Sequence, residues 1–161
     1  MPKPKTIIVY ESYHHHNTET IARVIAQRLQ ADLYKPEQVN LSKLSDYEAL
    51  GIGTGIYFSK PHEKIQSFLN SIPNLTGLKG FIFTTSGSIN QIYIQGIITK
   101  IISAMEQKGL QIIDYFFTKG WDTFGPFKLL GGINKGHPDL DDLYKAELFA
   151  NKILNTLKSK I

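Results

Sequence analysis

The sequence predicts an α/β protein, a three-layer sandwich with helices on both faces of a five-stranded parallel sheet of order 2-1-3-4-5. Three observations carry this. Short apolar runs alternate with longer stretches of helical period along the whole chain, and such alternation is the mark of βαβ crossovers. The first run, Thr6-Ile7-Ile8-Val9-Tyr10, is continuously apolar after its threonine, as strands buried on both faces are. The chain has 161 residues and no repeat, linker or low-complexity segment, which fits one domain over residues 1–161.

The elements follow in order. Residues 6–10 form the first strand. Asn17 or Thr18 is placed to cap the first helix, with Glu19 in its positive first turn. Ile21, Val24, Ile25 and Leu29 share one face of that helix, which ends near Ala31. Residues 32–35 read as a second strand, broken by Pro36, and residues 41–44 as a short helix. Residues 47–53 are the third strand, in which Gly51 and Gly53 permit close backbone approach. Pro61 suits the first turn of the next helix, whose apolar face is Ile65, Phe68, Leu69 and Ile72. Residues 80–85 make the fourth strand. Ile94, Ile97, Ile98, Ile101, Ile102 and Met105 mark a buried helix, with Gly109 as its C-terminal cap. Residues 110–118 are the fifth strand. The irregular segment 119–137 carries five glycines and Trp121. Pro138 opens the last helix, with Asp139, Asp141 and Asp142 at its positive end and Lys158 and Lys160 at the other.

Composition narrows the function. Cysteine is absent, so disulfides, thiolate metal sites, iron–sulfur clusters and cysteine nucleophiles are excluded, and redox chemistry would need a bound cofactor. The net charge of +4 comes from lysines spread along the chain, which argues against a nucleic-acid footprint. No apolar run reaches membrane-spanning length. The N-terminal residues lack the apolar region of a signal peptide, so a cytoplasmic location is expected. No P-loop, Gly-x-Gly-x-x-Gly or Gly-x-Ser-x-Gly motif is present. Adjacent side chains on one loop rarely converge on an ion, so the run His14-His15-His16 is read as contacting a ligand, and no metal is expected.

Open α/β sheets bind ligands beyond the C-terminal strand ends, at the switch point. Three loops lie there: 12–18, rich in hydroxyl, amide and imidazole groups; 54–60, glycine followed by aromatics; and 85–91, small and polar. The first joins a strand to a helix N-terminus, an arrangement suited to a phosphate monoester. Together the loops describe a site for a flat ring with a phosphorylated tail.

These loops resemble those of the flavodoxin family. The family's phosphate loop reads Ser/Thr-x-Thr-Gly-Asn-Thr, and Ser12, Asn17 and Thr18 match its ends, while His14-His15-His16 stands where Thr-Gly is usual and the loop is one residue longer. A prokaryotic branch with a His-containing first loop, Gly-x-Gly-Ile-Tyr-Phe (residues 53–58) and Gly-Trp-Asp-Thr-Phe-Gly-Pro (residues 120–126) is the more similar. The resemblance implies a flavodoxin-like fold and FMN as cofactor. It implies that Ser12, Asn17 and Thr18 hold the phosphate with the backbone of 13–17, which brings Tyr13, His14, His15 and His16 into the site. Thr54, Gly55, Ile56 and Tyr57 would line the isoalloxazine, with the family's mobile redox-tuning peptide near Thr54 and Gly55. Thr85, Ser86, Gly87 and Ser88 would meet the pyrimidine edge. Of Tyr57, Phe58, Tyr93 and Trp121, Tyr57 is the favoured stacking ring. The implied function is electron transfer with redox partner proteins. The alternatives are a small FMN-dependent NAD(P)H or quinone reductase and an FMN-binding accessory protein without turnover.

Overall fold

The structure is a computed structural model that describes residues 2–87 and 90–159. Its elements are β1 (Thr6–Glu11), α1 (Asn17–Leu29), β2 (Asp32–Tyr34), β3 (Ala49–Tyr57), β4 (Lys60–Pro61), α2 (Glu63–Ser71), β5 (Lys79–Ser86), α3 (Gln91–Glu106), β6 (Gln111–Lys119) and α4 (Leu140–Lys158). The sheet order is β2-β1-β3-β5-β6, all parallel along this path. This is the expected order, since the two-residue β4 is an addition that pairs antiparallel with the end of β3.

The pleat sorts the apolar residues onto two faces. Ile7, Val9, Leu50, Ile52 and Ile82 pack with α2 and α3 residues such as Phe68 and Ile101. Ile8, Phe81 and Phe83 pack on the other side with Ile25 of α1 and Phe149 and Ile153 of α4. On that second face two glycines do a specific job. Gly51 and Gly53 pair in register with Phe81 and Phe83, and a Cβ on either glycine would fall 2.4 or 2.2 Å from the neighbouring ring. The missing side chains make the slots in which the two phenylalanines lie.

Several boundaries differ from the sequence reading, each for a local reason. The N-cap of α1 is His16, left-handed at φ 54°, with no side-chain cap bond. Neither Asn17 nor Thr18 caps the helix, because both are inside it with side chains committed elsewhere. The segment 41–46 is a 3-10 helix. β3 runs four residues past Gly53, because Thr54 and Gly55 continue the parallel ladder with Thr84 and Thr85. Pro61 lies in β4, and α2 is capped by His62, whose side chain accepts from the Lys64 amide at 3.1 Å. The last helix starts after Asp139, which forms a reciprocal capping box with Asp142. The long segment before it holds a 3-10 turn at Gly125–Leu130 and one antiparallel bridge between Asp122 and Ile133.

Candidate functional site

The C-terminal ends of β1, β3 and β5 open into a cleft of about 730 Å³. Its floor and walls come from the three loops and from the segment after β6, which sequence reasoning left open. From the first loop, Tyr13, His14 and Asn17 line it; from the second, Gly55, Ile56, Tyr57 and Phe58; from the third, Thr85, Ser86 and Gly87. Lys60, His62, Glu63 and Gln66 form one rim, and Trp121, Asp122 and Phe124 form the other.

The first loop is built on a charged root. Glu11 is buried at the end of β1. Its Oε1 accepts from the Ser12 amide at 3.0 Å and from Lys35 Nζ at 2.7 Å, and its Oε2 is ion-paired with Lys64 at 3.5 Å. Burial pushes this carboxyl up, but the Lys35 and Ser12 hydrogen bonds and the two lysine charges outweigh it and hold the group below its ordinary value. Ser12 Oγ is shielded from solvent and has no hydrogen-bond partner among the described residues. Beyond it His15 and His16 both take the left-handed conformation, at φ 52° and 54°, which turns the chain sharply into α1.

The segment after β6 clamps this loop. Trp121 stacks on His15 with ring centroids 3.9 Å apart and an interplanar angle of 23°. His15 Nε2 bonds Thr123 Oγ1 at 2.8 Å, and Asn17 Nδ2 donates to the Trp121 carbonyl at 2.9 Å. The same segment grips the third loop: Asn134 Nδ2 donates to the Gly87 carbonyl at 2.9 Å, and the Gly120 amide donates to the Ser86 carbonyl at 3.0 Å. A Cβ on Gly87 would meet Asp122 Oδ2 at 2.5 Å, so the absence of a side chain there lets the two segments close. The far end is pinned at α4. Asp142 accepts from Thr118 Oγ1 at 2.7 Å, from the Asp139 amide at 2.9 Å, and bonds His137 Nδ1 at 2.5 Å. Burial raises this carboxyl, and the bonds from Thr118, Asp139 and His137 bring it below its ordinary value.

Tyr57 lines the cleft beside the first loop. Its ring lies back over Gly55, where a Cβ would be 2.5 Å from the hydroxyl oxygen. The hydroxyl accepts from the Tyr13 amide at 3.3 Å. Burial raises the phenol above its ordinary value, against the pull of the neighbouring Tyr13 and His14 amides, so it is neutral at physiological pH.

Not every residue expected at the site lies in the cleft. Thr18 is 1% exposed, and its hydroxyl bonds Thr85 Oγ1 at 2.8 Å, tying the first loop to the third from beneath. Thr54 is buried in the sheet, donating to the Gly55 carbonyl at 2.8 Å and accepting from the His62 amide at 3.0 Å. Thr54 and Gly55 are therefore held by the ladder, and the turn beyond it is Phe58-Ser59, at φ 46° and 65°, with Ser59 Oγ accepting from the Tyr93 hydroxyl at 2.9 Å. His15 faces Trp121, and His16 bonds Glu19 Oε2 at 3.0 Å. Ser88 lies outside the described residues. The rim residues missed by sequence reasoning, Asp122 and Phe124 above all, come from a loop whose path no periodicity records. The unusual Gly-Trp-Asp-Thr-Phe-Gly-Pro run was its one signal.

A doubly wound parallel sheet of this strand order, with an aromatic-lined cleft at its switch point, is a fold of the flavodoxin type. Residues 7–111 match the family model of the flavodoxin domain, and the chain belongs to that family. It is 42% identical over 151 residues to an uncharacterized protein of Methanocaldococcus jannaschii, covering 93% of this chain and 98% of that one. Among solved structures, a flavodoxin from the domain Archaea superposes with a TM-score of 0.72 at 19% identity, over 96% of this chain and 99% of its own. Rubredoxin:oxygen oxidoreductase of Desulfovibrio gigas superposes with a TM-score of 0.74 at 20% identity, over 98% of this chain and 37% of its own. These two likenesses establish the fold. No helix among the described residues is long and apolar enough to cross a membrane.

Proposed function

We propose that this protein binds FMN non-covalently in the cleft and carries electrons between redox partner proteins in the cytoplasm. The observation that carries the reading is the buried, unpartnered Ser12 hydroxyl at the root of a loop that meets a helix N-terminus. An orphaned buried hydroxyl is costly, and a phosphate oxygen is the acceptor that this position lacks. Ser12 and the backbone of the first loop would hold the phosphate, aided by the positive end of α1. Lys35 and Lys64 neutralise Glu11, so its carboxylate does not repel an anion there. Tyr57 and Trp121 supply aromatic faces for the ring, and Thr85 to Gly87 its polar edge. FMN supplies reversible electron uptake, while the chain supplies orientation and electrostatics. Phe58 and Phe124, exposed at the rim and in edge contact at 4.8 Å, give partners an apolar surface to approach.

The test is an absorbance and fluorescence titration of the purified protein with FMN and with riboflavin. A perturbed, quenched flavin spectrum is expected, and Ser12→Ala should weaken FMN at least about tenfold while sparing riboflavin, since hydrogen bonds to charged groups are worth about 1.5–3 kcal/mol. Absence of binding at micromolar FMN would sink the reading. Rapid reduction of the bound flavin by NAD(P)H alone would replace the carrier with a reductase.

A further inference from the structure

We propose that Tyr57 is an internal occupant of the phosphate loop, a hydroxyl that holds the Tyr13 amide, which a phosphate takes when the cofactor binds. The proposal rests on the assignment of the first loop to a phosphate. Tyr57 is the last residue of β3, two positions beyond Gly55, so the two share a face of the strand. With no side chain at Gly55 the ring folds back along its own strand instead of standing into the cleft. That posture carries the hydroxyl across to the first loop, where it accepts from the Tyr13 amide at 3.3 Å. That amide belongs to the loop that a phosphate would use. A neutral phenol accepts from it less strongly than a phosphate dianion, because charge-assisted hydrogen bonds are roughly twice as strong as neutral ones. The exchange therefore runs toward the phosphate.

The device answers a problem particular to this chain. His15 and His16 hold consecutive left-handed conformations, and non-glycine residues keep such conformations only when their surroundings over-determine them. Without an acceptor there the Tyr13 amide would be open to water, and the turn would rest on the contacts of His15 with Trp121 and Thr123 and of His16 with Glu19. The Tyr57 hydroxyl supplies the missing acceptor from within. On release the ring is free to rotate about its side-chain bonds and form a wall for the incoming ring system. Tyr57 thus serves in both states, as plug in one and as wall in the other.

Tyr57→Phe keeps the ring and removes the acceptor. Titration with FMN and, separately, with inorganic phosphate should show about two- to tenfold tighter binding of each to the variant, the size expected for the loss of one competing bond of modest net strength. Amide hydrogen exchange gives a readout independent of affinity. The amide of Tyr13 should be protected in the cofactor-free wild type, fast in cofactor-free Tyr57→Phe, and protected in both proteins with FMN bound. Unchanged or weaker binding of FMN and phosphate by the variant, or equally slow exchange of that amide in the two cofactor-free proteins, would overturn the plug and leave Tyr57 as a simple brace. If neither protein binds FMN yet both bind phosphate with the expected difference, the plug stands and the flavin reading fails. If neither ligand binds either protein, both are overturned.

Discussion

At the scale of single residues, Phe58 carries the clearest conflict between stability and site. It and Ser59 form the two-residue connection between the Tyr57–Lys60 pair of the β3–β4 hairpin, and both have positive φ. Such a turn favours Asn-Gly and disfavours an aromatic residue. The side chain is 77% exposed and makes an edge contact with Phe124. A strained, exposed aromatic at the lip of a cleft is most economically explained by what it touches when the cleft is filled. Replacing it separates the two roles. Phe58→Asn should raise the thermal midpoint of the cofactor-free protein by about 2 °C, through relief of roughly 1 kcal/mol of turn strain, while weakening FMN binding or slowing electron delivery to a partner. A lowered midpoint, read by circular dichroism, would mean that the turn is not strained.

At the scale of elements, β3 connects the core to the site. Its buried half is set by glycine slots, its outer half by the ladder that continues to Gly55 and by the hairpin to β4. Gly53→Ala would drive a Cβ to 2.2 Å from the buried Phe83 ring and should cost about 2–3 kcal/mol, as overpacking of a closed core does. The measurement is a lowered urea midpoint at unchanged slope, partly restored by adding Phe83→Leu; no loss in the single variant would mean the ring moves freely. The same strand shows what the sequence discloses and what it conceals. The apolar runs and helical periods depend on local pattern, so the strand order, the two faces and the three loop positions were legible. Gly51-x-Gly53-x-Gly55 was legible as close approach, but its partners Phe81 and Phe83 are remote in sequence. The commitment of Thr18 to Thr85 and the path of residues 119–137 depend on tertiary contacts alone. That is why the motif shows Thr18 but not its tie to Thr85, and why the run at residues 120–126 stands out in the sequence without disclosing that Asp122 and Phe124 line the cleft.

At the scale of the whole molecule, two buried carboxylates anchor the cleft from opposite ends. Glu11 fixes the root of the first loop to Lys35 and Lys64. Asp142 fixes the end of the clamping segment to Thr118 and His137. Each is held below its ordinary value of 4.5 or 3.8, the favourable bonds outweighing burial. A carboxyl depressed in the folded state contributes stability that is complete above its unfolded value and is lost as pH falls through its folded value. The loss therefore begins below about pH 4.5 for Glu11 and below about pH 3.8 for Asp142. The apolar faces of the sheet carry no such dependence, so the cleft should loosen before the core. Trp121 reports the cleft, since it is stacked on His15 and is the only tryptophan in the chain. In an acid titration the tryptophan emission should change at higher pH than the far-ultraviolet circular dichroism. Glu11→Gln and Asp142→Asn should each reduce stability at neutral pH and flatten its dependence on acid, because the variant side chains have no proton to take up. General repulsion among the lysines and arginines of a chain with net charge +4 would steepen acid unfolding equally in all three proteins. Coincident transitions in the two probes, or identical acid slopes in wild type and variants, would assign the acid limit to that repulsion instead of to the two anchors.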